Sequence, residues 1–144
     1  MCQQDDVYKI FVQFVINGND IPTTEEFNRI FEYNGTGFNK GDHYSCRKGQ
    51  VKLTRLYSAW SINSENIVKS YDIIDHLTFI LNVFEPRIDH LRFFLDSPDI
   101  CVFIRIWVES DDYIARVTIS SPMLVRLANI CNEIYIVAIA GDES

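Results

Sequence analysis

A thiol and an imidazole lie three residues apart in the middle of the chain, at Cys46 and His43. A cysteine attacks as its thiolate, and a histidine or other basic neighbours can favour that form. Nucleophilic catalysis also needs a third group that orients the base. The sequence supplies no such group beside this pair, and it has no G-x-S-x-G elbow that would expose a nucleophilic serine. We therefore predict that the protein is not an enzyme and has no catalytic residues.

Imidazole and carboxylate side chains recur later in the chain, where a metal site would need them. The three histidines are His43, His76 and His90. His76 follows Asp72 and Asp75, and His90 follows Asp89, but no two histidines have the H-x-x-x-H or H-E-x-x-H spacing. The cysteines are widely scattered and form no C-x-x-C pair. Because a structural zinc site needs four ligands, we interpret His76 and His90, with their neighbouring aspartates, as parts of solvated helix faces. We predict no metal and no other cofactor.

Glycines and basic residues concentrate between residues 35 and 56. Lys40 lies between Gly37 and Gly41, yet the G-x-x-x-x-G-K-[ST] spacing of a phosphate loop is missing and a helix precedes the segment. Residues 38–56 contain five basic residues and one acidic residue, with Tyr44 among them and Tyr57 directly after them. Such a pattern can bind phosphates and stack on bases. The sequence pI of about 4.8 argues against a dedicated nucleic-acid binder.

The rest of the chain is acidic and has the composition of a folded protein. Of the 144 residues, 47 % are hydrophobic and 23 % are charged, and the net charge is −7. That length suits one domain, over residues 1–144 with its core between about 7 and 139. No apolar run is long enough for a membrane span, and the first residues do not resemble a signal peptide. We therefore expect a cytoplasmic protein whose cysteines are free and mostly buried.

The elements that must position these residues follow from the hydrophobic pattern. We predict strands at 7–16, 51–62, 100–108, 113–119 and 133–139, and helices that begin near Pro22, Ser64, Pro86 and Pro122. The order β-α-β-α-α-β-β-α-β indicates an α+β fold in which about five strands form a mixed or antiparallel sheet packed with helices. The last strand is almost entirely apolar, which predicts a central place in the sheet. If the first strand is at an edge, it could pair across a two-fold axis in a homodimer.

Short motifs spread over the chain resemble a known family. They are Gly18 with Asp20, the loop Lys40, Gly41 and Asp42, and Trp60. Together with the closing helix and strand, they are similar to the bacterial domain-of-unknown-function family 4279. The resemblance covers about residues 7 to 139. It implies a fold and a bacterial origin but no activity. The chain departs from the family pattern at residues 34–39, which lack a proline, and in the long stretch between Asp42 and Trp60.

Two functions are compatible with these observations. The first is an acidic immunity or antitoxin-like protein that binds and neutralises a basic toxin domain such as a nuclease, because acidic side chains steer a basic partner and aromatic side chains anchor it. The carboxylates expected at that interface are Asp72, Asp75, Glu109, Asp111 and Asp112. The second is a small-ligand or nucleic-acid sensor that uses the glycine-rich basic loop, residues 35–56. A pocket lined by Lys40, Tyr44 and Trp60 would favour this second function.

Overall fold

The computed structural model describes residues 7–49, 51–111 and 116–140. Its helices and strands follow one another in the order β1 (Val7–Gly18), α1 (Thr24–Phe31), β2 (Thr36–Phe38), β3 (His43–Cys46), β4 (Val51–Thr54), β5 (Ser58–Asn63), α2 (Ile73–Phe84), α3 (Ile88–Leu95), β6 (Ile100–Ser110), α4 (Ser121–Ala128) and β7 (Glu133–Ala140). A 3₁₀ turn, Glu85–Arg87, joins α2 to α3. The predicted α+β class with a five-stranded mixed sheet is confirmed. Within the described residues, no helix has both the length and the apolar character needed to cross a bilayer.

The main sheet has the strand order β2-β5-β1-β6-β7. The first strand, β1, is central and runs antiparallel to both of its neighbours, β5 and β6. The suggestion that β1 could be an edge strand available for a homodimer is therefore wrong, because both of its sides are paired. The prediction that the last strand is central is also wrong. One side of β6 pairs with β1. After the crossover through α4, β7 pairs parallel with the other side of β6, so β7 is the outermost of the described strands.

The hydrophobic core lies on one face of this sheet. Alternate residues of β1, from Ile10 to Ile16, are buried against the helices together with alternate residues of β6, from Val102 to Val108. Aromatic rings fill the space between the layers. Phe14 stacks on Phe84 of α2 with 3.9 Å between ring centroids. Burying one such side chain contributes about 1.5–3 kcal/mol, so this aromatic layer is a large part of what holds the helices to the sheet.

The helix starts show how local chemistry positions these layers. Thr23 caps α1 in a capping box: its hydroxyl accepts from the Glu26 amide, and the Glu26 carboxylate accepts from the Thr23 amide. The predicted cap of the next helix, Ser64, is wrong. Asp72 caps α2 instead, since its Oδ1 accepts from the Ile74 amide at 3.0 Å. Ser64 is fully buried, and its hydroxyl oxygen accepts from the Val12 amide of β1 at 2.8 Å.

Residues 35–57 form a projecting β-hairpin rather than a loop followed by one long strand. At its base β2 pairs with β5, which begins at Ser58, and farther out β3 pairs with β4. Between the two ladders, the Gly41 amide donates to the Arg55 carbonyl and the Arg55 amide donates to the Asp42 carbonyl. We call the outer part, residues 39–57, the arm. Its tip turns through Arg47 and Lys48, both at positive φ. The sequence indicated a loop because this polar, glycine-rich segment lacks the alternation of apolar residues that marks a strand.

The predicted strand at 113–119 falls partly outside the described residues. Its described part, residues 116–119, has no strand structure. These residues instead lead into α4, where the Ser120 hydroxyl accepts from the Met123 amide and Pro122 lies in the first turn. The cap and the proline agree with the sequence. The fifth strand of the main sheet is β2, from the glycine-rich segment.

The described cysteines are free, as expected: Cys46, Cys101 and Cys131. Only Cys131 of these three is buried, so the expectation of mostly buried thiols is wrong. Burial raises the pKa of the Cys131 thiol to about 11, and its Sγ–H donates to the Leu127 carbonyl at 3.2 Å. The folded state thus holds this proton more tightly than the unfolded state does.

We therefore expect the stabilisation associated with the Cys131 proton to be complete below the ordinary thiol pKa of 9.0 and to fall as pH rises through about 11. The loss amounts to roughly 2 kcal/mol across that range. Urea unfolding of the wild type and of Cys131→Ala at intervals between these pH values measures it. The variant should be less sensitive to pH, and parallel curves for the two proteins would contradict the prediction.

Candidate binding site

The motif residues of the glycine and aspartate loops have structural roles. Gly18 ends β1, and a Cβ there would lie 3.0 Å from the Ile21 side chain and 3.2 Å from the Asp99 carbonyl. Asp20 is exposed in the turn that follows. At the foot of the arm, the Asp42 carboxylate accepts from the Asn39 amide at 2.7 Å. These residues close turns and leave no cluster of free functional groups.

The other motif residues join the arm to the sheet. The Lys40 amide donates to the Ser58 hydroxyl at 2.7 Å, and Gly41 takes a φ of 94° that a side chain would disfavour. Trp60, a residue of β5, is fully buried in the core, and its Nε1–H donates to Asn28 Oδ1 at 2.9 Å. Trp60 therefore cannot line a ligand pocket, and the pocket expected from Lys40, Tyr44 and Trp60 does not form.

The pairs that suggested nucleophilic and metal chemistry are also separated. His43 and Cys46 lie on β3 three residues apart, so their side chains point to opposite faces of the strand. The Nδ1 atom of His43 instead lies 3.3 Å from the Thr54 hydroxyl. His76 is buried, whereas His90 is exposed on α3. No three side chains of His, Cys, Asp or Glu converge as metal ligands within residues 7–49, 51–111 and 116–140.

The sheet face opposite the core carries aromatic side chains that the helices leave uncovered. We call this surface the open face and define it by Phe11, Arg105, Trp107, Glu109 and Tyr135, which share one side of β1, β6 and β7 by register. Phe11 stacks on Trp107 with 5.7 Å between centroids. None of these residues belongs to the core cluster that packs the helices. Half-buried aromatic rings on a sheet surface are ready-made contact groups for a partner.

Polar contacts hold the open face in one arrangement. The Trp107 indole donates to Glu109 Oε1 at 3.0 Å, and the Arg105 guanidinium donates to Gln13 Oε1 at 3.1 Å. Gln13 in turn donates to the Ser61 hydroxyl at 3.4 Å. The side chains therefore lose little freedom when a partner binds, which lowers the entropic cost of association.

A cleft of about 440 Å³ lies where the open face meets the foot of the arm. Its floor and walls are formed by residues of β1, β2, β5 and β6 and of the arm: Gln13, Val15, Asn17, Thr36, Gly37, Phe38, Tyr57, Ala59, Ser61, Phe103 and Arg105. The Arg55 guanidinium lies 3.9 Å from the Phe38 ring centroid and 3.8 Å from that of Tyr44, which fixes the aromatic wall. The cleft thus combines aromatic walls with amide, hydroxyl and guanidinium groups.

The carboxylates predicted at an interface do not form one patch. Glu109 lies on the open face, and Asp111 is exposed just beyond the end of β6. Asp72 and Asp75 lie at the start of α2, on the helix side of the sheet, where Asp72 caps the helix and Asp75 accepts from the Ser70 hydroxyl at 2.6 Å. Asp112 lies outside the described residues.

The basic arm and Glu109 lie far apart along β1. Glu109 pairs in register with Lys9 near the start of this strand, whereas the arm joins the sheet at Ser58, opposite Gly18 at its end. Nine residues of strand span about 30 Å. The basic arm and the carboxylates of β6 therefore lie at opposite ends of the sheet.

The arrangement of motif loops, buried tryptophan and closing helix and strand agrees with a family comparison. A family described as a domain of unknown function, DUF4279, matches residues 7–138. The chain belongs to the DUF4279 family. No curated protein and no solved structure matches it. In this DUF4279 domain the open face and cleft were missed by sequence reasoning, although the alternation along β1 and β6 already placed Phe11 and Trp107 on the side away from the core.

Proposed function

We propose that this DUF4279 domain is a non-enzymatic, cytoplasmic binding protein of the immunity type, which neutralises a basic toxin domain such as a nuclease. The observation that carries the proposal is the open face, a rigid aromatic surface with a carboxylate beside its tryptophan. Trp, Tyr and Arg dominate the energetics of protein interfaces, and the open face presents Trp107, Tyr135 and Arg105 together.

Charge supports a basic partner for this surface. The chain has a net charge of −7, and Glu109 lies beside Trp107 on the open face, with Asp111 next to it. The net negative charge of the whole chain attracts a basic domain and increases the rate of association, while Lys9 and Arg105 balance Glu109 on the open face itself. The basic arm, at the far end of β1, then favours one orientation of the partner, because a cationic domain is repelled from that end.

Two variants of the open face test this function in co-expression with the product of the neighbouring gene in the native strain. Trp107→Ala should weaken binding at least 30-fold, as for a hot-spot residue, and abolish protection of the cell. Glu109→Gln keeps an oxygen that can accept from Trp107 and removes the charge, so it should slow association and reduce its salt dependence.

Phe93→Ala is the matched control, because Phe93 is an exposed aromatic residue on α3, away from the open face. It should bind and protect as the wild type does. Absence of any protection by the wild-type protein would refute the immunity function. Full protection by Trp107→Ala, with its fold verified by circular dichroism, would refute the assignment to the open face.

The cleft favours a second function, a small-ligand or nucleic-acid sensor that uses residues 35–56. Arg105 and the aromatic wall suit a planar ligand that carries a carboxylate or phosphate. Thermal unfolding with aromatic carboxylates, mononucleotides and single-stranded oligonucleotides tests it, since a ligand that binds the native state raises the melting temperature. A shift that Arg105→Gln abolishes supports this function, and no shift with any of these compounds counts against it.

A further inference from the structure

The two ends of the main sheet are built differently. At one end β2 has only three residues, and a short edge strand offers little backbone for another chain to pair with. At the other end β7 has eight residues, and among the described residues it has a strand neighbour on one side only. A long, regular edge of this kind presents a row of backbone donors and acceptors.

The sequence of β7 does not suit an exposed edge. Residues 134–140 carry no charge and no proline, whereas edge strands in soluble proteins are usually protected by one or the other. Ile136 is 59 % exposed and Tyr135 is 46 % exposed. A continuous apolar run is typical of a strand with neighbours on both sides and cover on both faces. The sequence of β7 is thus that of a central strand in a peripheral position.

We propose that β7 pairs antiparallel with β7 of a second copy of this chain, so that two five-stranded sheets become one continuous sheet. A two-fold axis perpendicular to the sheet keeps the open faces of both copies on the same side. Because side chains alternate between the two faces of a strand, each odd-numbered residue of one copy must then lie opposite an odd-numbered residue of the other, and each even-numbered residue opposite an even-numbered one. The axis at Val137 satisfies this condition. The facing pairs are then Val137 with Val137, Ile136 with Ala138, Tyr135 with Ile139, and Ile134 with Ala140.

This register makes β7 complementary to itself. Large side chains face small or medium ones, all the facing residues are uncharged, and Glu133 falls outside the paired stretch. Two copies that each carry a net charge of −7 therefore meet without bringing carboxylates together along the strand. A foreign acidic or basic strand would form no ion pairs with such an uncharged edge, which favours a second copy as the occupant.

The contact area is sufficient for a weak dimer. The seven paired residues extend about 23 Å, and a sheet with one helix layer is about 20 Å high, so each copy covers roughly 460 Å². The total of about 920 Å² lies at the small end of the range for protein interfaces, that of weak and transient association. We expect a dissociation constant in the micromolar range.

Sedimentation velocity and light scattering between about 1 and 200 µM, a range that spans a micromolar dissociation constant, measure this association. The wild type should change from monomer to dimer with concentration. Ile136→Lys should remain a monomer throughout, because it places a charge on the pairing edge. Leu56→Lys is the matched control, since Leu56 is 78 % exposed in the arm, and it should dimerise as the wild type does.

A cross-link tests the register. In a Cys101→Ser background, Val137→Cys places two thiols opposite each other across the axis, at the separation that a disulfide needs. It should form a covalent dimer on mild oxidation, whereas Lys52→Cys, exposed on β4, should not. The proposal is overturned if the wild type stays monomeric, or if Ile136→Lys still dimerises. It is also overturned if Leu56→Lys abolishes the dimer, or if Val137→Cys cross-links no faster than Lys52→Cys.

Discussion

Replacement of His76 by leucine is expected to lower the free energy of unfolding by about 3 kcal/mol, although His76 lies in no binding surface. His76 is 1 % exposed and links three segments. Its Nε2–H donates to the Ser70 carbonyl at 2.7 Å, and its Nδ1 accepts from the Ser64 hydroxyl at 2.6 Å. The Ser64 oxygen accepts in turn from the Val12 amide of β1. Leucine fills a similar volume but leaves the proton of the buried Ser64 hydroxyl without an acceptor and the Ser70 carbonyl without the histidine donor.

Chemical denaturation of His76→Leu measures this loss, and His90→Leu is the control. Both histidines lie on helices, but His90 is exposed and should change stability by no more than about 0.5 kcal/mol. Ser64→Ala should produce a loss similar to that of His76→Leu, and the double variant should lose less than the sum, because the two residues share one hydrogen bond. Equal stability of His76→Leu and the wild type would show that the network contributes nothing.

Gly35→Ala is expected to destabilise the protein by about 2–3 kcal/mol through a steric clash in the core. A Cβ at this position would lie 2.5 Å from Cε2 and Nε1 of Trp60 and 2.7 Å from the Ser61 carbonyl. The indole cannot move away. It stacks on Phe27 with 5.2 Å between centroids, and it donates to Asn28 Oδ1, which also accepts from the Gly35 amide. The new methyl group therefore displaces backbone or packed rings.

A double-mutant cycle separates the clash from other effects of the substitution. Trp60→Phe removes the indole atoms that the new methyl group would meet, at the cost of one hydrogen bond and some packing. In its presence, Gly35→Ala should cost at least 0.5 kcal/mol less than in the wild type, the coupling expected for residues in contact. Free energies of unfolding from urea titrations of the four proteins provide the test. Strict additivity would contradict the proposed contact between Gly35 and Trp60.

The parts of this fold that were predictable depend on local pattern. The β-branched and aromatic residues at 7–16 and 100–108 correctly indicated strands, and the helical spacing of Phe27 and Phe31 indicated α1. Thr23 was recognised as a possible cap because capping is a short-range interaction. In these elements the chemistry of a few neighbouring residues decides the structure.

Features that depend on distant partners were missed. Ser64 is a good cap by type, yet its hydroxyl is used by β1, 52 residues earlier in the chain. The cleft depends on Gln13 and Arg105, which are 92 residues apart and meet only because β1 pairs with β6. The apolar sequence of β7 correctly indicated a strand, but its outermost position depends on the crossover through α4, which a local hydrophobic pattern does not predict.

The central place of β1 has a consequence for biosynthesis. This strand emerges first from the ribosome, but its neighbours are β5, which begins at Ser58, and β6, which begins at Ile100. At a translation rate of about 5–20 residues per second, β1 waits roughly 5–20 seconds for its last neighbour. During that time its row of large apolar side chains has no sheet to join. Folding with such long-range pairing is slow, so we expect nascent chains of this protein to depend on chaperones that bind extended apolar segments.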